Sequence, residues 1–147
     1  MVGEKEKLKE KRYNSLYLDI AERISHMSYA KRLKVGSVIV KENNIISFGW
    51  NGMPSGFDNN CEDILPDNMT LKTKPEVLHS EQNSLMKLAK STNSSEGSVM
   101  YITHAPCIEC AKLIYQSGIN SVYYRNIYRS SDGVEFLKKC NIHVEKV

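Results

Sequence analysis

Tyr13, Leu16, Tyr17, Ile20, Ala21, Ile24 and Met27 recur at steps of three and four. That spacing lines one face of a helix and predicts one over about 11–28. The β-branched run Val35 to Val40, the polar Lys41-Glu42-Asn43-Asn44 and the stretch Ile45 to Trp50 predict a two-stranded hairpin. The second strand ends in Asn51-Gly52-Met53-Pro54-Ser55-Gly56, and from there to Pro75 Gly, Pro, Asn and Asp recur without a period, which predicts a long loop. Loops beyond ~15 residues in a compact domain are usually functional or disordered. A helix over about 77–89, a strand from Val99 to Thr103, and a helix opened by Pro106 and closed by Gly118 follow. The tail reads as a strand near 121–124, a helix near 132–140 and a strand near 142–145. The order α-β-β-α-β-α-β-α-β, without repeat or internal boundary, predicts one α/β domain over 1–147. Its central sheet has about five strands and is covered by helices.

Composition adds little to the fold but narrows the function. The 147 residues are 41% hydrophobic and 25% charged, the balance of a soluble globular protein. A chain of this length buries about two-thirds of its unfolded surface, so it needs no metal staple to fold. The net charge of +3 is mild, and Lys5, Lys7, Lys9, Lys11 and Arg12 alternate with Glu4, Glu6 and Glu10. That pattern reads as a solvated end over 1–12 rather than a nucleic-acid face, so no nucleic-acid partner is expected. No run reaches the ~20 apolar residues of a membrane span, and the start lacks the apolar core of a secretory signal. A cytoplasmic protein without a membrane partner is expected. In a reducing compartment Cys61, Cys107, Cys110 and Cys140 read as metal ligands or buried small hydrophobes.

Two fragments carry the candidate chemistry, His79-Ser80-Glu81 and Pro106-Cys107-Ile108-Glu109-Cys110, each at a predicted helix start. Cysteines three apart on a helix share a side, and the helix dipole favours the thiolates that zinc takes. Proline at the first helical position fixes the approach of the chain. With His79 added, three protein ligands leave a fourth tetrahedral position to water, the pattern of a catalytic zinc. Residues two apart on a helix point ~200° away from each other, so Glu81 and His79 face one ion only if His79 sits in or just before the first turn. A carboxylate beside the zinc-bound water, but not ligating, can pass a proton to a ring nitrogen and then to a departing amine. Alone, the C-x-x-C equally fits a redox pair or half of a structural zinc knuckle. Together, H-x-E and P-C-x-x-C form the known signature of zinc deaminases of cytosine and adenine.

Beyond this signature the chain resembles the deoxycytidylate deaminase family. Ser28 and Arg32 before Val35-Gly36-Ser37-Val38-Ile39-Val40 are similar to the family's S-x-x-x-R-x-x-V-G-A-x-I-V, and Gly49 to Gly56 to its G-Y-N-G-x-P-x-G loop. His79 to Asn83 is similar to H-A-E-x-N, and Pro106 to Ile114 to P-C-x-x-C-A-K-x-I. Trp50 replaces Tyr, Ser37 and Ser80 replace Ala, and Ala105 precedes the Pro-Cys pair. Ser80, between two catalytic positions, is expected to compete for local hydrogen bonds.

The resemblance implies a three-layer cytidine deaminase-like fold and hydrolysis of dCMP to dUMP and ammonia, supplying dUMP for thymidylate synthesis. It implies zinc on His79, Cys107 and Cys110, with the zinc lowering the pKa of its water to about 7 for attack at C4 while Glu81 carries the proton. It gives substrate contacts to Asn51, Arg32, Val38, Ala105, Pro106 and Tyr128, the last eighteen residues after Cys110. Tyr128 also fits a sheet-edge tyrosine and Arg32 a plain surface arginine; Tyr123, Tyr124 and Arg125 are weaker candidates. Relatives are often hexamers activated by dCTP and inhibited by dTTP with Mg2+. The resemblance places that effector near Ser28, Ala30, Lys31, Arg32, Asn51, Gly52, Gly56 and Phe57.

Two other readings stay open. A tRNA adenosine deaminase shares the signature and often the Gly-Trp-Asn of residues 49–51, but Asn83, the Met53-Pro54-Ser55-Gly56 continuation and the missing basic stripe weigh against it. A non-catalytic zinc module would leave Glu81 without a purpose. Cys61, in the long loop, reads as a packed or idle thiol with a second metal as the alternative, and His26, His104 and His143 read as core or surface residues.

Overall fold

The computed structural model describes residues 3–147. The first helix, α1 (Glu4–Ser25), starts well before the predicted 11 and takes in the stretch read as a solvated end; residues 1 and 2 of that end lie outside the described residues. Glu and Lys are good helix formers, and Glu4 and Glu6 sit in the first turn, where the helix dipole favours acids. These residues are solvated, as the charge pattern required, while remaining helical.

Strands β1 (Gly36–Lys41) and β2 (Asn44–Trp50) form the predicted hairpin. Its turn places Glu42 and Asn43 at φ of 50° and 61°, the geometry of a two-residue turn that matches strand twist. The long loop is not structureless. It contains an antiparallel pair, β3 (Glu62–Ile64) and β4 (Leu71–Thr73), too short to show a period. Then come α2 (Ser80–Ala89), β5 (Val99–His104), α3 (Ile108–Gln116), β6 (Ser121–Asn126), α4 (Asp132–Lys139) and β7 (His143–Lys146). Pro106 does not open α3: Cys107 is its N-cap, and Pro106 lies one residue outside. Gly118, at φ 85°, follows the C-cap Ser117 as the stop.

The main sheet has five strands in the order β2-β1-β5-β6-β7. β1 is antiparallel to both neighbours, while β5, β6 and β7 are parallel, so the sheet is mixed. Alternation along the strands sorts two cores. Val38, Val40, Tyr101 and Tyr123 pack on Tyr17, Leu18 and Ala21 of α1. Ile39, Met100, Ile102 and Val122 face Leu85 and Leu88 of α2, Ile114 of α3 and Leu137 of α4. The result is the expected three-layer α/β fold. The carboxyl ends of the parallel strands converge with the start of β1 and the end of β2 on one edge of the sheet, the edge at which such sheets bind ligands.

Candidate active site

At that edge α2 and α3 begin side by side. His79 is the N-cap of α2, extended at φ −74° and ψ 158°, and its N–H donates to Gln82 Oε1 at 2.7 Å. This places it just before the first turn, the condition under which it and Glu81 address one point. Asn83 Nδ2 donates to the Trp50 carbonyl at 2.7 Å, fastening α2 to the end of β2. Cys107 caps α3 and Cys110 lies in its first turn, fully buried. His79 Nδ1 is 3.1 Å from Cys110 Sγ and 3.5 Å from Cys107 Sγ. The three ligand atoms all lie within 4.8 Å of one another.

One imidazole and two thiols converging this closely fit a zinc ion with one coordination position left over. The electrostatics agree with the donor set. The Cys107 thiol is pushed down to about 4, first by the Cys110 thiol that donates to it and then by His79. Cys110 is pushed up, chiefly by the Cys107 thiolate and then by burial. A bound cation would favour both sulfurs as thiolates. His79 is raised by its bond to Cys107, against the lowering effect of burial. Behind Cys107, α4 packs so closely that a Cβ on Gly133 would stand 2.1 Å from the Pro106 carbonyl oxygen.

Glu81 is 4% exposed and not part of the ligand cluster. Burial pushes its carboxyl above the usual range, opposed mainly by the Ser80 hydroxyl, which donates to Oε1 at 2.5 Å. The competition expected of Ser80 is therefore a direct bond to the candidate proton carrier.

Glu81, His79 and Cys107 line a cavity of about 910 Å³. Among the residues named from the sequence, Arg32, Asn51, Ala105, Tyr128 and Arg125 line it too. The Asn51 amide is engaged in the wall: Oδ1 accepts from the Val35 N–H at 2.9 Å and Nδ2 donates to the Leu33 carbonyl at 2.8 Å. Arg32 Nη1 donates to Thr73 Oγ1 at 3.0 Å. Val38 is not in the wall, because strand alternation turns it into the α1 core; Val35 lines the cavity instead. Pro106 is fully buried and, unlike its neighbours Ala105 and Cys107, does not line the cavity. Tyr123 faces α1 and donates to Glu10 Oε1 at 3.1 Å, and Tyr124 is outside the wall.

The residues associated with an effector are distributed over two hollows and the surface. Ala30, Arg32 and Asn51 line the main cavity. Ser28 is buried, its hydroxyl donating to the Asn51 carbonyl at 2.7 Å and accepting from Ala30. Lys31 borders a second hollow of about 380 Å³ with Tyr29 and Glu62. Gly52 pairs with Leu78, Phe57 is 55% exposed, and they and Gly56 line neither space.

The sequence reading missed Arg129, Lys146, His104 and Glu62 in the cavity wall. Arg125 on β6, Arg129 just beyond it and Lys146 on β7 bring positive charge to the carboxyl ends of neighbouring parallel strands. Arg125 is held by Asp19 at 2.9 Å. The available signal was a cationic residue at the end of each predicted tail strand, which gains meaning only once the strands are known to be parallel neighbours.

A layered α/β sheet that brings one His and two Cys together across two helix starts, with a buried Glu two residues past the His, defines a zinc-dependent deaminase centre. The chain belongs to the cytidine and deoxycytidylate deaminase family, whose zinc-binding region matches residues 11–126. It is 41% identical to human deoxycytidylate deaminase over 106 residues, covering 67% of this chain but only 57% of the human one. It is 32% identical to the deoxycytidylate deaminase of Enterobacteria phage T4, with 78% of each chain covered. The crystal structure of the dCMP deaminase of cyanophage S-TIM5, in complex with dCMP and dUMP, matches at a TM-score of 0.85 and 44% identity over 100% of both chains.

Proposed function

We propose that the protein hydrolyses dCMP to dUMP and ammonia. The observation that carries this reading is the wall of the main cavity, which joins Glu81 and the His79–Cys107–Cys110 cluster to Arg32, Arg125, Arg129 and Lys146. A neutral nucleoside needs no such charge, whereas guanidinium and ammonium groups suit a phosphate dianion. The likeness to a cyanophage enzyme that holds both dCMP and dUMP supports the same substrate and product here.

His79, Cys107 and Cys110 would hold the zinc, which when bound would activate a water for nucleophilic attack at neutral pH. The chain does the rest. Buried beside the cluster, Glu81 carries a proton first to the ring nitrogen N3 and then to the leaving amine, so that water and dCMP become dUMP and ammonia. Ala105 and Tyr128 border the base and sugar, and Asn51 holds the wall turn at residues 33–35. Arg129 and Lys146, with Arg32, take the phosphate.

This reading includes one domain over 1–147, a cytoplasmic setting, dUMP supply for thymidylate synthesis, and hexamers activated by dCTP and inhibited by dTTP with Mg2+. The likeness of segments 28–32 and 51–57 supports the regulatory part. Among the described residues no helix is long and apolar enough to cross a membrane.

The test is ammonia release by zinc-loaded protein from dCMP, dCTP, deoxycytidine and adenosine-bearing tRNA, each with and without added dCTP and Mg2+. Preferential turnover of dCMP is expected. Turnover confined to the tRNA would move the chain to the adenosine branch, and none on any substrate would favour a non-catalytic zinc module.

A further inference from the structure

Ser37 and Ser80, the two positions where serine replaces the alanine of the resembling motifs, meet in the structure although 43 residues separate them. Ser37 Oγ donates to the Ser80 carbonyl at 3.0 Å and lies 3.1 Å from Ser84 Oγ. Ser84 Oγ in turn donates to the Glu81 carbonyl at 3.0 Å. All three serines are fully buried. A buried hydroxyl without a partner is costly, and each of these has one. Ser80 differs from the other two in its target: its hydroxyl donates to the Glu81 carboxylate instead of a main-chain carbonyl.

We propose that Ser80 is a positioning residue for Glu81. A glutamate has three rotatable side-chain bonds, and a carboxylate that must receive and deliver a proton loses rate for every orientation in which it points elsewhere. The Ser80 hydroxyl ties Oε1 and fixes the plane of the carboxylate, leaving Oε2 as the oxygen that exchanges protons in the cavity. Ser80 cannot drift, because Ser37 holds its carbonyl to β1. The tether also keeps the carboxylate from swinging onto the adjacent ligand cluster and taking the coordination position that water needs. This inference rests on the deaminase reading of the site.

The experiment compares Ser80→Ala with the parent and with Ser47→Ala. Ser47 is the control, since its buried hydroxyl donates to the Ser84 carbonyl at 2.6 Å on the same helix and makes no hydrogen bond to Glu81 or Ser80. Measured for each are kcat and KM for dCMP, zinc per chain, and the Glu81 conformation in a crystal structure of the zinc-loaded protein. For Ser80→Ala we expect kcat lower by about tenfold with KM and zinc content unchanged, and a Glu81 carboxylate in more than one orientation or on the metal. Ser47→Ala is expected to keep kcat within about twofold of the parent. A kcat for Ser80→Ala within that range, a matching loss in Ser47→Ala, or an unmoved carboxylate overturns the proposal. If the parent itself does not turn over dCMP, the deaminase reading fails, and the crystallographic comparison alone decides whether Ser80 orients Glu81.

Discussion

His79 Nδ1 lies 3.1 Å from Cys110 Sγ although 31 positions separate the two residues in the chain. The contact joins the starts of α2 and α3, which the sheet brings to the same edge, and it brings Cys107 within 3.5 Å of the same nitrogen. Neither helix start holds a metal by itself. Their adjacency makes the site.

From that adjacency follows a stoichiometry. The protein has four cysteines, of which two face His79. Cys107→Ser and Cys110→Ala are expected to lose the zinc, whereas Cys61→Ser and Cys140→Ser keep one ion per chain. Metal analysis after gel filtration reads this directly, and zinc retained by Cys110→Ala would show that the ligand set is wrong.

On the proposed role of Arg129 and Lys146 in binding phosphate, their loss should be felt only by substrates that carry one. A hydrogen bond to a charged group contributes about 1.5–3 kcal/mol, or roughly 10–100-fold in affinity. Arg129→Ala and Lys146→Ala are each expected to raise KM for dCMP by at least about tenfold while leaving kcat/KM for deoxycytidine unchanged. Equal losses on both substrates would indicate a structural role.

How far the sequence discloses the site depends on which residues are neighbours along the chain. The His79, Cys107 and Cys110 cluster and the buried Glu81 beside it were legible because each pair is local: His79 with Glu81, Cys107 with Cys110, each at a helix start marked by its own composition. The five main strands were legible as β-branched and apolar runs set between polar breaks. The cationic wall was not, because Arg129 and Lys146 meet only through the parallel pairing of β6 and β7. Val38 was misplaced for a related reason. Its motif is a buried strand run, in which period-2 alternation does not reveal which face turns to α1. The β3–β4 pair was hidden because three-residue strands show no period.

Gly49 tests how tightly α2 is seated. A Cβ there would stand 2.7 Å from both the Ser80 carbonyl oxygen and the Ser84 nitrogen, main-chain atoms that have no slack. Gly49→Ala is expected to cost about 1–3 kcal/mol by overpacking, and to lower kcat because the displaced helix start carries Glu81. Urea denaturation together with steady-state kinetics would check both. An unchanged midpoint would mean that β2 and α2 separate more readily than this packing implies.

Stability should also fall at alkaline pH. Burial pushes Tyr101 above its ordinary value and, with the Glu10 carboxylate, pushes Tyr123 up to about 12. The folded chain therefore keeps phenolic protons that the unfolded chain releases near pH 10. Their contribution is complete below about pH 10 and is lost as pH rises toward about 12, where Tyr123 ionises in the fold. Urea midpoints should drop between about pH 10 and 12, and drop less steeply in Tyr123→Phe. A pH-independent midpoint over that range would contradict the burial of these phenols.

The measurement that bears most directly on the account is turnover of dCMP by the zinc-loaded parent beside Glu81→Gln, with zinc content determined in both. Glutamine keeps the shape of the side chain but cannot carry the proton, so the variant is expected to retain one zinc and lose about 10²–10⁴-fold in kcat. A zinc-retaining variant that still turns over dCMP at the parental rate would contradict the role given to Glu81, and with it the mechanism built on this site.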